Sequence, residues 1–162
     1  MDYKESLDKL FDEYYFRARK KLVKDGSVAP SIVLLGGNPD KVKDLMHIEM
    51  QFRNEGDKDF LARLIAQQIE ATGAWGYVMI NEAWLLSREQ FPDGKIPCNQ
   101  LPSEHPKRQE VIWVALFTHD YHKGRAAIFE RKGFSIQFIG EIPMEPDTGI
   151  QGRFANLLPP LN

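Results

Sequence analysis

Tyr77-Val78-Met79-Ile80-Asn81-Glu82-Ala83-Trp84-Leu85 and Glu110-Val111-Ile112-Trp113-Val114-Ala115-Leu116-Phe117-Thr118 are apolar on both alternating sets of side chains. A strand facing solvent on one side would alternate. These two read instead as interior strands of a sheet covered on both faces. They are joined by 24 residues, Leu86 to Gln109, which carry Pro92, Pro97, Pro102 and Pro106, four of the ten prolines. Pairing the two strands antiparallel folds this excursion back over the end of the sheet that holds Glu82 and Glu110.

Outward from this pair, Leu7, Leu10, Phe11, Tyr14, Tyr15, Ala18 and Leu22 recur at helical spacing and predict a helix over 3 to 24, closed by Asp25-Gly26. The cations Arg17, Arg19, Lys20, Lys21 and Lys24 suit the negative end of that helix's dipole. Ser31 to Leu35 reads as an interior strand ending in the turn Gly36-Gly37-Asn38-Pro39-Asp40. Met46, Ile48, Met50 and Phe52 then alternate with polar residues as a half-exposed strand, forming a hairpin with its predecessor. Asn54 to Asp57 caps a second helix, with Phe60, Leu61, Leu64, Ile65 and Ile69 as its stripe and Thr72-Gly73 as its end.

Beyond Thr118, the polar tip His119 to Gly124 leads into a strand, Arg125 to Arg131, and Lys132-Gly133 turns into another, Phe134 to Glu141. After the proline stretch Pro143 to Pro146, the segment Gly152 to Leu158 predicts a short C-terminal helix. The order defines an α+β fold, a mostly antiparallel sheet of about six strands covered by an N-terminal and a central helix. A length of 162 residues suits a single globular domain, 1–162.

Composition narrows the function classes. A formal charge of −2 gives no bulk attraction to phosphate backbones, so nucleic acid is disfavoured as a partner despite Lys123, Arg125, Arg131 and Lys132. The longest apolar run, Val111 to Phe117, has seven residues where about 20 are needed to cross a bilayer, so no membrane span is expected. The start lacks the pattern of a secretory signal and Cys98 is the single cysteine, which together point to a soluble protein of the reducing cytoplasm.

No motif fixes a reaction or a cofactor. The strongest constellation lies at the sheet end beneath residues 86–109. There Glu82, Glu110 and His105 are candidate catalytic groups, and Arg108, Trp84 and Trp113 candidate ligand-binding residues. The structural alternative is that Arg108 pairs with Glu82 or Glu110 to compensate a half-buried charge and pin the loop. His119 and His122, or His47 and Glu49, have metal-ligand chemistry but no nearby third ligand, so the metal stays unspecified. Gly36-Gly37-Asn38 lacks the lysine and helix of a phosphate loop, and Asp93 with Glu130 and Lys132 lies in turns rather than on adjoining strands.

Tyr14, Tyr15 and Phe16 are consecutive on a helix, so they cannot all face one core, and at least one is expected to meet a partner or the terminal segment. The leading expectation is therefore a ligand- or protein-binding regulatory module, with a protein partner or homodimer. A metal-assisted hydrolase is the alternative.

Overall fold

A computed structural model describes residues 2–86, 90–95, 105–144 and 157–158. Helix α1 (Tyr3–Asp25) starts at a capping box, in which the Asp2 carboxylate accepts from Lys4 and Glu5 backbone N–H groups while Glu5 reaches back to Asp2. It ends at Gly26, whose φ of 79° suits a residue without Cβ. Strands β1 (Ser31–Asn38) and β2 (Lys41–Glu49) form the expected hairpin. Helix α2 (Glu55–Thr72) is capped by Asn54, and β3 (Gly76–Leu85), β4 (Gln109–Thr118), β5 (His122–Lys132) and β6 (Ser135–Met144) follow.

All six strands form one antiparallel sheet in the order β2-β1-β3-β4-β5-β6. The two interior strands are neighbours, with Gly76 opposite Thr118 and Leu85 opposite Gln109. Helix α1 covers one face, burying Leu7, Phe11 and Leu22 on Val78, Val114 and Phe129. On the other face Ile65 and Ile69 of α2 meet Ile32, Leu34 and Tyr77.

Several boundaries differ from the sequence expectation, among them that of β2, which ends at Glu49 and leaves Met50 and Phe52 beyond the strand. Gly36 and Gly37 belong to β1, and the turn is Pro39-Asp40, stapled by the Asn38 side chain accepting from Asp40 and Lys41 N–H. A Cβ on Gly37, at φ 72°, would sit 2.4 Å from the Lys41 carbonyl oxygen, so the glycine allows β2 to close on β1 rather than ending the strand. β5 starts at His122, not Arg125, because the Tyr121 carbonyl accepts from Thr118 N–H and closes a tighter connection. β6 starts at Ser135 and runs past Pro143, which an edge strand tolerates; Phe134 sits in the turn. The expected C-terminal helix lies outside the described residues apart from Leu157, buried on the α2 face, and Leu158.

The sheet curls around α1. Consecutive helix residues donate to carboxylates on opposite rims: Tyr14 to Asp44 on β2 and Tyr15 to Glu141 on β6, the latter at 2.9 Å. Only a bent sheet brings both rims to one helix. The two outermost pairs each carry a register shift, at Leu34/Leu35 and at Ile128/Phe129, where bulges add curvature. The Tyr121 phenol and the Lys123 ammonium both donate to Asp8, and Ser6 donates to Asp40 at 2.7 Å. The helix is thus buckled to the sheet along its length.

Candidate functional site

The sheet outruns α1. Past the helix C-terminus, Glu82 on β3, Glu110 on β4 and Arg131 on β5 share the α1 face, as their alternation with Ile80, Ile112 and Phe129 requires. The Arg131 guanidinium donates to both Glu110 carboxylate oxygens, at 3.1 and 3.2 Å, to Glu82 Oε1 at 3.2 Å, and to the Gly26 carbonyl at 2.7 Å. The second Glu82 oxygen accepts from Val28 N–H at 2.8 Å. One cation thereby compensates two half-buried carboxylates and the free carbonyl at the negative end of α1, while Glu82 secures the chain as it leaves the helix.

The sequence-derived residues divide around this node. Glu82 and Glu110 lie at the same sheet end and converge on one group, but the cation between them is Arg131 rather than Arg108. Arg108 lies over the ring of Trp84, 4.8 Å from its centroid, and donates to the His105 carbonyl. Trp84 pairs across the strands with Glu110 on the α1 face and remains 43% exposed. Trp113 is opposite Asn81 and packs on the α2 face, so the two tryptophans do not flank one pocket. His105 meets Phe91 edge-on and its Nδ1 accepts from Lys107 N–H, with no hydrogen bond to either glutamate among the described residues. Cys98 lies outside the described residues. Among the described residues, no three His, Cys, Asp or Glu side chains gather as a metal group.

Counting register back from the β4–β5 connection would have found Arg131. Glu110 faces Phe129 and Arg131 lies two residues on, on the same face. The longer tip expected from His119 to Gly124 would set Arg131 opposite Ile112, still on the Glu110 face two positions away, so the pairing is within reach of the sequence and the weighing of Arg108 alone passes it over.

A second feature lies along the β6 rim. Tyr14 and Tyr15 turn inward, and Phe16 is the aromatic left outside, 64% exposed. It lines an open groove of about 560 Å³ with Arg19, Lys20, Val23, Lys24 and Phe138. Positions 16, 20 and 23 form one helix stripe, and Phe138 closes the groove from β6. Arg19 is committed to the Glu141 carboxylate at 3.3 Å and to the Phe138 ring, whereas Lys20 and Lys24 make no ion pair among the described residues. The sequence signal was the run of three aromatics; the lysines were explained by the helix dipole alone.

These features define an α+β protein whose antiparallel sheet wraps one helix. The family described as bacteriophage lambda protein ea47 matches residues 1–157, and the chain belongs to that family. No curated protein and no solved structure matches it. No helix is long and apolar enough to cross a membrane among the described residues.

Proposed function

We propose that this ea47-family protein works by binding another protein through the face where α1 meets β6. The observation that carries this reading is the groove itself: Phe16, at 64% exposure, and Val23, at 50%, stand in solvent beside Phe138 on a helix whose other apolar residues, Tyr3 apart, are buried. Exposed apolar groups gathered around a concavity favour a partner surface. The concave side of the curled sheet is filled by α1, which leaves the rims for recognition. The carboxylates at the sheet end are bridged by Arg131, an arrangement suited to fixing the exit of α1.

The family description names a phage protein, so bacterial cells carrying a lambda-type phage are the place to test this. A photoreactive side chain at position 16 or 23 is expected to crosslink one discrete partner. The same group at position 70, on the polar exposed side of α2, is expected not to. Equal crosslinking from position 70, or none from 16 and 23, would overturn the reading.

A metal-assisted hydrolase using Glu82, Glu110 and His105, with Arg108 holding an anion and Trp84 and Trp113 nearby, is the second reading. It is favoured by the convergence of the two carboxylates on one point. Its test is Mn²⁺ titration of the chain and of Arg131→Ala. Stoichiometric binding, with ester or phosphodiester cleavage lost in Glu82→Gln, would sustain it, and absence of binding in both would end it.

A further inference from the structure

We infer that the occupant of the α1–β6 groove is an extended segment of a partner protein, bearing alternating apolar and acidic side chains, which adds to β6 as a seventh strand. The inference rests on the protein-binding reading above and specifies its chemistry. Three observations converge on it.

The first is the backbone. β6 (Ser135–Met144) pairs with β5 and is an outer strand of the sheet, so its far side carries main-chain donors and acceptors that no described strand takes up. Such an edge templates an incoming strand. Pro143 and the bulge beside Phe138 break the edge, which restricts pairing to a short segment and guards against open-ended sheet growth.

The second is position. A strand laid against β6 points every second side chain toward the α1 face, onto Phe16, Val23 and Phe138. The groove supplies apolar contact and the edge supplies direction, the two parts of strand-addition recognition.

The third is charge, which selects the occupant. Lys20 and Lys24 line the groove without a carboxylate of their own among the described residues. A second copy joined through its own β6 would bring the same lysine stripe against this one across a two-fold axis, placing like charges face to face. An acidic segment compensates them.

The test uses the full chain and a fluorescent, end-blocked decapeptide with isoleucine and glutamate taking turns at every second position and threonine between, together with a twin carrying lysine for glutamate. Anisotropy is expected to show the glutamate peptide binding at least about tenfold more tightly than its twin, and K20E/K24E is expected to reverse that preference. Hydrogen exchange should slow in residues 135–142 when the glutamate peptide binds. Both lysines are exposed, so circular dichroism of the double variant should match the parent.

Absence of binding to either peptide, equal binding of both, or protection confined to other strands would each overturn strand addition. Light scattering that finds a dimer tightened when K20E/K24E is mixed with the parent, as relief of the apposed lysines requires, would overturn it in favour of a second copy. Specific crosslinks from position 16 without protection of β6 leave the protein-binding reading in place and overturn this one.

Discussion

The Tyr121 phenol donates to the Asp8 carboxylate, joining the start of β5 to the second turn of α1 across 113 positions of sequence. The hydrogen bond from Tyr121 holds Asp8 below the usual carboxylate range, with Lys123 adding to the effect against a desolvation that opposes it. Removing the hydroxyl tests the bond. Tyr121→Phe should lower stability by about 1.5–3 kcal/mol in urea unfolding, the scale of a hydrogen bond to a charged group. Asp8→Asn should cost less, because its amide oxygen still accepts from Tyr121.

The buckles also set the response to alkali. Burial first, and then the hydrogen bonds to Asp44, Glu141 and Asp8, push the phenols of Tyr14, Tyr15 and Tyr121 above their ordinary range. In the unfolded chain these phenols ionise near pH 10, while in the folded chain they keep their protons. Their contribution is therefore complete below about pH 10 and is lost as pH rises toward the folded values. Urea midpoints should stay level from pH 7 to 9 and fall steeply above pH 10. The triple variant Tyr14→Phe, Tyr15→Phe, Tyr121→Phe should flatten that decline.

Acid acts in the opposite sense and on another group. Asp8 is depressed in the folded state, so its contribution is present above the unfolded value near 4 and disappears as pH drops through the folded one. Comparing urea midpoints at pH 5 and pH 2.5 for the parent and Asp8→Asn should show the smaller drop in the variant.

At the sheet end, Arg131→Met removes the cation shared by Glu82 and Glu110 and strands both carboxylates at about one-quarter exposure. A loss of about 2–3 kcal/mol is expected, larger than for a solvated surface pair. Glu110→Gln should cost under about 1 kcal/mol, because Glu82 remains to hold the guanidinium. Equal losses for the two variants would show that Arg131 is not the hub.

Gly37→Ala meets a backbone oxygen and a left-handed φ at once. It should lower stability by about 1–3 kcal/mol and speed hydrogen exchange in β1 and β2 before the rest of the sheet.

The architecture was legible because its signals are local. Leu7 to Leu22 repeat at the helical period, and the apolar runs around Val78 and Val114 mark covered strands, so six strands and two helices follow from neighbours along the chain. The node was legible by half. The return of the chain between Leu85 and Gln109 placed Glu82 and Glu110 together, but not their partner. His122, Lys123 and Gly124 have the polarity of a loop and the backbone pairing of a strand; either boundary leaves Arg131 on the Glu110 face two positions away, and its choice over Arg108 depends on how side chains of three strands meet. The burial of both Tyr14 and Tyr15 was hidden for a related reason. It depends on Asp44 and Glu141 arriving from opposite rims of a bent sheet, and curvature is a property of the assembled strands rather than of any one of them.

The paired tyrosines have a consequence for biosynthesis. Helix α1 leaves the ribosome before the six described strands, yet the acceptor for Tyr15 is Glu141, separated from it by 126 positions and supplied by β6. Helix α1 therefore waits until β6 is made before the last of these anchors exists, and long-range closures of this kind slow folding. Compaction of a nascent chain stalled before residue 141 should remain incomplete, with α1 accessible to protease until β6 has emerged.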